Sequence, residues 1–142
     1  MDIFSHGLYG GAGFYRKSKK SFWTAFTFGI LPDLLAFFLP FTILLVRLGL
    51  GRIDFTGFEP PVRDTSPQYV HALYTFKHTI FIFAAIFIIV WFILKKPNLE
   101  MLAWGLHILT DIPTHSNAFF PTPFLFPFSS YTFDGILWAS QP

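Results

Sequence analysis

Hydrophobic positions in this chain fall into long runs with few polar interruptions. Residues 22–50 and residues 70–94 are both apolar for longer than the about 20 residues that a helix needs to cross a bilayer. Pro32 and Pro40 interrupt the first run, and we expect a helix break at Pro32, because an internal proline removes a helical hydrogen bond. These two runs predict helices that cross or enter a membrane.

Shorter elements flank the two long runs. Residues 99–112 form a third apolar run that Pro113 ends, and residues 3–15 are mildly apolar and rich in glycine, which permits close helix packing. Residues 51–69 hold charges and prolines and predict an exposed loop. The tail from Ser116 is rich in Phe and Pro and should be an extended segment at the membrane interface or over the bundle. The expected fold is all-α: a small integral membrane bundle of about four helices, three or four of them crossing or entering the membrane.

Composition supports a membrane location. The chain is 53% hydrophobic and only 13% charged, about half the charge of an average soluble protein. Its 21 phenylalanines exceed what a compact core in water would absorb. With 142 residues it should form a single domain over residues 1–142. The absence of cysteine leaves His, Asp and Glu as metal ligands.

Basic residues lie at the ends of the apolar runs. One cluster precedes the first run and another follows the second, so the positive-inside rule places both at the cytoplasmic face of a multi-pass protein of the cell membrane. The clusters are Arg16, Lys17, Lys19 and Lys20, and Lys95 with Lys96. The net charge of +2 and this placement argue against nucleic-acid binding.

Polar residues inside the apolar runs share a similar depth. At 1.5 Å per helical residue, they lie ~15, ~20, ~26 and ~17 Å from the nearest basic cluster. In chain order these residues are His6, Asp33, His78 and His107. Ionisable groups inside membrane segments are costly and suggest a functional site. We therefore expect these side chains to meet inside the bundle.

His107 and Asp111 are the most informative pair, since residues four apart share one helical face. They could offer a nitrogen and an oxygen to one metal ion, or they could simply hydrogen-bond to each other. Asp33 could be a ligand, or it could cap the helix after the expected break. His78 could instead lie at the membrane interface, and His6 could instead face solvent. Ligation by both His and carboxylate suits Zn²⁺, Mn²⁺ or Fe²⁺, of which we favour Zn²⁺.

Several motifs resemble those of the membrane-bound metal-dependent hydrolase family of prokaryotes, and the resemblance covers nearly the whole chain. The motifs are an early His6 before glycines, Leu31-Pro32-Asp33, Lys77-His78-Thr79, residues 106–115 (LHILTDIPTH) and the Phe/Pro-rich tail that leads to Asp134. The family is described as predicted zinc-type hydrolases, some distantly similar to zinc-dependent phospholipase C. The resemblance implies metal ligation by His6, Asp33, His78, His107 and Asp111. Many members have a second acid where this chain has Leu35.

These observations lead to an expected function. The chain should be a metal-dependent hydrolase of the membrane that cleaves a phosphoester or ester of a lipid or lipid-linked substrate. His115 should relay a proton, and Lys77 could neutralise an anionic substrate. The alternative is a non-catalytic membrane protein in which the same residues form a buried polar network or bind a structural metal.

Overall fold

The structure, a computed structural model, describes residues 1–52, 67–118 and 120–136. These residues contain five α-helices and no β-strand, which confirms the all-α class with one helix more than expected. The helices are α1 (Ile3–Ala12), α2 (Lys19–Gly49), α3 (Gln68–Lys77), α4 (Ile80–Leu94) and α5 (Leu102–Thr114), with a short 3₁₀ turn at Leu99–Met101 before α5. Most of the loop predicted at residues 51–69 lies outside the described residues.

Helix α2 continues through both of its prolines, so the break predicted at Pro32 is wrong. Its first turn is capped by Ser18, whose side chain accepts a hydrogen bond from the Ser21 amide at 3.0 Å. Asp33 therefore lies inside a helix and does not cap one. Pro32 removes one backbone hydrogen bond from α2, and the helix nevertheless continues on both sides of it.

The second long run divides into two helices. α3 ends at Lys77 and α4 begins at Ile80, and their axes differ by 61°. The backbone bends at Thr79, which is extended, with φ −110° and ψ 134°. The first turn of α4 is covered by the tail, where the Ile80 amide donates to the Phe124 carbonyl at 3.1 Å. The bend brings His78 inside the bundle at a helix end.

Helix length limits how many segments can cross a bilayer. Among the described residues, only α2, with 31 residues, is long and apolar enough alone, and α3 with α4 forms a second candidate if the bent pair is one span. Helices α1 and α5 have 10 and 13 residues, short of the about 20 required. The structure therefore does not support three or four crossing helices.

Small residues allow α1 and α2 to cross closely. Gly29 of α2 faces the backbone of α1, and a Cβ added there would lie 2.5 Å from the His6 carbonyl oxygen. Gly10 packs on α2 in the same way, since its added Cβ would lie 2.9 Å from the Ala25 carbonyl oxygen. Close approach of the two backbones sets His6 against the middle of α2.

The tail from Ser116 returns across the bundle and contains no helix in its described part. Phe120 is buried in a small core with Ala36, Val70 and Tyr74, and its carbonyl accepts a hydrogen bond from the Tyr74 hydroxyl at 3.0 Å. The Asp134 carboxylate accepts from the Asn117 amide at 2.7 Å. The Ile136 amide donates to the Pro113 carbonyl at 3.0 Å, so the tail is held against both α3 and the end of α5.

Glu100 joins the start of α2 to the turn before α5. Its carboxylate accepts hydrogen bonds from Lys17 at 2.6 Å and from the Ser21 hydroxyl. These two hydrogen bonds lower the pKa of Glu100 from 4.5 to about 2. A pKa that is depressed on folding stabilises the folded state above the ordinary pKa.

We predict that Gly29→Ala lowers the free energy of unfolding by about 1–3 kcal/mol, because the new methyl group would overlap the α1 backbone. Gly49→Ala, at the other end of the same helix, is the matched control, because no atom of the described neighbouring residues lies within 4 Å of a Cβ added there. The control should be neutral or slightly stabilising. Thermal unfolding in detergent measures both, and an equal effect of the two variants would contradict the close crossing.

We predict that Glu100→Gln lowers the melting temperature at neutral pH and that this difference disappears in acid. The stabilisation from Glu100 should be complete above pH 4.5 and lost as the pH falls to about 2. Melting temperatures of both proteins across this range test the prediction. Lys17→Gln should reduce the same pH dependence, and a difference that persists unchanged at pH 2 would disprove it.

Candidate metal centre

Four polar side chains from different parts of the chain meet in the interior. Each offers one nitrogen or carboxylate oxygen, and these four atoms all lie within 4.8 Å of one another. The residues are Asp33 of α2, His78 at the α3–α4 bend, and His107 and Asp111 of α5, all buried. This group could hold a metal ion.

The separations between the possible ligand atoms fit a single ion. His78 Nε2 and His107 Nε2 are 2.9 Å apart, and Asp33 Oδ1 lies 3.2 Å from the first and 3.7 Å from the second. Asp111 Oδ2 lies 3.2 Å from His107 Nε2 and 3.5 Å from His78 Nε2. Atoms bound tetrahedrally at 2.0–2.1 Å from zinc stand roughly 3.3 Å from each other. The observed separations lie on both sides of that value.

The contacts of the two Nδ1 atoms indicate which nitrogen of each imidazole carries the hydrogen. His78 Nδ1 lies 2.9 Å from the Tyr74 carbonyl oxygen, and His107 Nδ1 lies 2.7 Å from the Gly29 carbonyl oxygen. A carbonyl only accepts, so we assign a hydrogen to each Nδ1. In neutral rings, the Nε2 lone pairs then face each other at 2.9 Å. A metal ion or an added proton between the two nitrogens would relieve this repulsion.

The Asp111 carboxylate also has a polar atom without a partner, on the side that faces the two histidines. It is fully buried, yet its Oδ2 has no hydrogen-bond partner among the described residues. Its Oδ1 lies 2.8 Å from His6 Nε2, 3.1 Å from His115 Nδ1 and 3.0 Å from the Met1 amino group. A buried carboxylate oxygen without a partner is costly. The residues present therefore fit a divalent cation on the Oδ2 side.

His6 joins the cluster from the other side of Asp111. Its ring centroid lies 3.7 Å from that of His107, and its Nδ1 is 3.3 Å from the Thr110 hydroxyl oxygen. The contact between His6 Nε2 and Asp111 lacks hydrogen-bond geometry, so Nε2 has no hydrogen-bond partner among the described residues. His6 is not one of the four grouped residues. Its role as a ligand stays a prediction.

The two residues with predicted catalytic roles differ in position. His115 follows α5 in extended conformation, as expected beyond Pro113, and its Nδ1 contacts Asp111. The Lys77 ammonium instead lies 5.9 Å from the ring centroid of the exposed Phe76. The structure thus brings His115 to the cluster, and it places the half-buried Lys77 beside Phe76 at the end of α3.

Three supporting residues were not anticipated from the sequence. Gly29 and Tyr74 supply the carbonyls that orient the histidines, and Thr110 contacts His6. The Tyr74 ring also stacks on His78, with centroids 3.8 Å apart. A four-residue spacing could have identified Tyr74, because the carbonyl at that spacing lies next to a histidine at a helix end.

Comparisons with protein-family models, with curated proteins and with solved structures find no match. The resemblance to prokaryotic metal-dependent hydrolases therefore stays a prediction. The metal site is supported by geometry: four buried ligand atoms, two oriented imidazoles and one carboxylate oxygen without a hydrogen-bond partner.

We predict that the purified protein binds about one divalent metal ion per chain and that His107→Ala loses most of it, because one of four ligands is removed. Elemental analysis by inductively coupled plasma mass spectrometry provides the measurement. His71→Ala is the matched control, since His71 is another histidine of the bundle, stacked on Phe120 and outside the four grouped residues. Absence of metal from the wild type, or equal loss in both variants, would refute the site.

Proposed function

We propose that this protein is a membrane-bound, metal-dependent hydrolase that cleaves a phosphoester or ester of a lipid-like substrate. The observation that carries the proposal is the convergence of Asp33, His78, His107 and Asp111 at one buried point. Paired imidazoles and carboxylates are the usual ligands of hydrolytic metals. The resemblance of residues 106–115 to prokaryotic metal-dependent hydrolases supports the same reaction class.

The four grouped residues would hold the ion, which we expect to be Zn²⁺, with Mn²⁺ or Fe²⁺ as alternatives. A bound divalent ion lowers the pKa of water toward neutrality and polarises the oxygen of a phosphoryl or acyl group. The carbonyls of Tyr74 and Gly29 hold the imidazoles so that both Nε2 atoms face inward. Such orientation increases the basicity of histidine ligands.

His115 is the proposed proton relay. The side chains of Asp33 and His115 are 9% and 7% exposed, whereas those of the other cluster residues are at most 1% exposed. His115 therefore lies where water and substrate would enter. It would accept a proton from the attacking water and donate it to the alcohol that leaves when the ester bond breaks.

A neighbouring cavity supports a substrate with both apolar and polar parts. It has a volume of about 500 Å³ and adjoins Tyr74, the residue whose ring covers His78. Its walls combine aromatic rings and prolines with hydroxyl groups, among them Phe120, Phe126, Thr75, Ser129 and Thr132. Lys77, at the end of α3, would neutralise an anionic substrate.

A structural metal is the second candidate, and the ligand count favours it. Four protein ligands fill a tetrahedral shell, as in structural zinc sites, whereas catalytic sites keep one position open. A catalytic role would require that the bound ion also had a coordination position available to water. Turnover by the metal-loaded protein distinguishes the two functions.

We predict that the metal-loaded protein hydrolyses bis(4-nitrophenyl) phosphate or a fluorogenic phospholipid and that His115→Gln lowers kcat about 100-fold or more while metal content is unchanged. The pH–rate profile of His115→Gln should lose one limb.

Lys77→Gln should raise KM for the anionic phosphodiester but not for a neutral ester. No turnover of either substrate at full metal occupancy would reject the hydrolase and leave the structural site.

A further inference from the structure

A second cavity lies at the start of α2, away from the metal centre. Its volume is about 390 Å³, and it is enclosed by the first turn of α2, the end of α4 and the turn before α5. Ser21, in its wall, lies twelve positions before Asp33, which corresponds to ~18 Å along α2. The cavity is therefore a separate site.

Positive charge dominates the lining of this cavity. Three lysines, Lys17, Lys20 and Lys96, line it together with a single acid, Glu100. Glu100 is already paired with Lys17 and accepts a hydrogen bond from Ser21. Arg16, Lys19 and Lys95 are exposed and adjoin the lining residues in sequence. The cavity thus keeps an excess of positive charge after its internal ion pair is counted.

The two remaining lysines have no ion-pair partner among the described residues. Lys20 is the second residue of α2 and Lys96 follows α4, so the cavity brings together charges that are 76 positions apart in sequence. Ser18 and Ser21 add hydroxyl groups to the same wall. The first turn of a long helix also carries partial positive charge. Lysine ammonium groups, hydroxyl groups and a helix start all favour the same kind of ligand, a phosphate group.

We propose that this cavity binds a phosphate group, carried by an anionic phospholipid headgroup or present as free phosphate. Lys20 and Lys96 provide the charge, Ser18 provides hydroxyl contacts, and the Lys17–Glu100 pair forms one wall. The cavity lies at the end of α2, which among the described residues is the helix that alone is long enough to cross a bilayer, and phospholipid headgroups would lie at such an end. This site does not depend on the metal centre.

The test compares two double variants that remove equal charge. Lys20→Gln/Lys96→Gln changes lining residues, whereas Lys19→Gln/Lys95→Gln changes their sequence neighbours, which do not line the cavity. All four side chains are exposed, so both variants should fold, and circular dichroism verifies this. Native mass spectrometry of the full chain, titrated with phosphatidylglycerol or phosphatidylcholine, measures lipid binding. Thermal shifts with inorganic phosphate, against chloride at equal ionic strength, measure free phosphate.

The wild type should prefer phosphatidylglycerol to phosphatidylcholine, and the lining variant should bind phosphatidylglycerol about tenfold more weakly. The neighbour variant should lose about twofold or less. Binding of phosphatidylglycerol without thermal stabilisation by inorganic phosphate identifies a headgroup site. Stabilisation by inorganic phosphate without lipid binding identifies a free-phosphate site. No binding in either arm, or equal losses in the two double variants, would overturn the proposal.

Discussion

Electrostatic repulsion among buried lone pairs is the constraint on which this structure depends. Two imidazoles are oriented by backbone carbonyls so that their Nε2 atoms face each other at 2.9 Å, beside carboxylates of Asp33 and Asp111. Two neutral rings in this orientation cannot hydrogen-bond to each other through Nε2, whereas a metal ion or an added proton between them would relieve the repulsion. The helices that meet there are therefore joined through their most polar residues, although most of their surface is apolar.

The same arrangement explains why small residues occur where they do. Gly29 brings α1 close enough for His6 to touch Asp111, and it also supplies the carbonyl that orients His107. A larger residue at this position would push α1 away from the site. One glycine thus connects packing of the first two helices to the geometry of the proposed metal ligands.

Much of the fold and site could be predicted from the sequence, because polar residues within apolar runs are costly and must find partners. The pairing of His107 with Asp111 followed from helical spacing, and the shared depth of Asp33 and His78 indicated a common meeting point. Helix continuity was harder to predict. Pro32 does not end α2, whereas the second apolar run, residues 70–94, breaks at Thr79, where tail carbonyls replace helical partners. Such contacts come from distant sequence and leave no local signal.

The shortness of α5 has a consequence for biosynthesis. Its 13 residues cannot anchor it in a bilayer, yet it supplies His107 and Asp111. During translation, α2 and α4 leave the ribosome before α5. Asp33 and His78 therefore have no contact with His107 and Asp111 until α5 has been synthesised. Capture of an ion would then fasten the last helix to the earlier ones. Under the proposed metal ligation, a chain made without the ion would therefore lack the link that holds its final helix to the earlier ones.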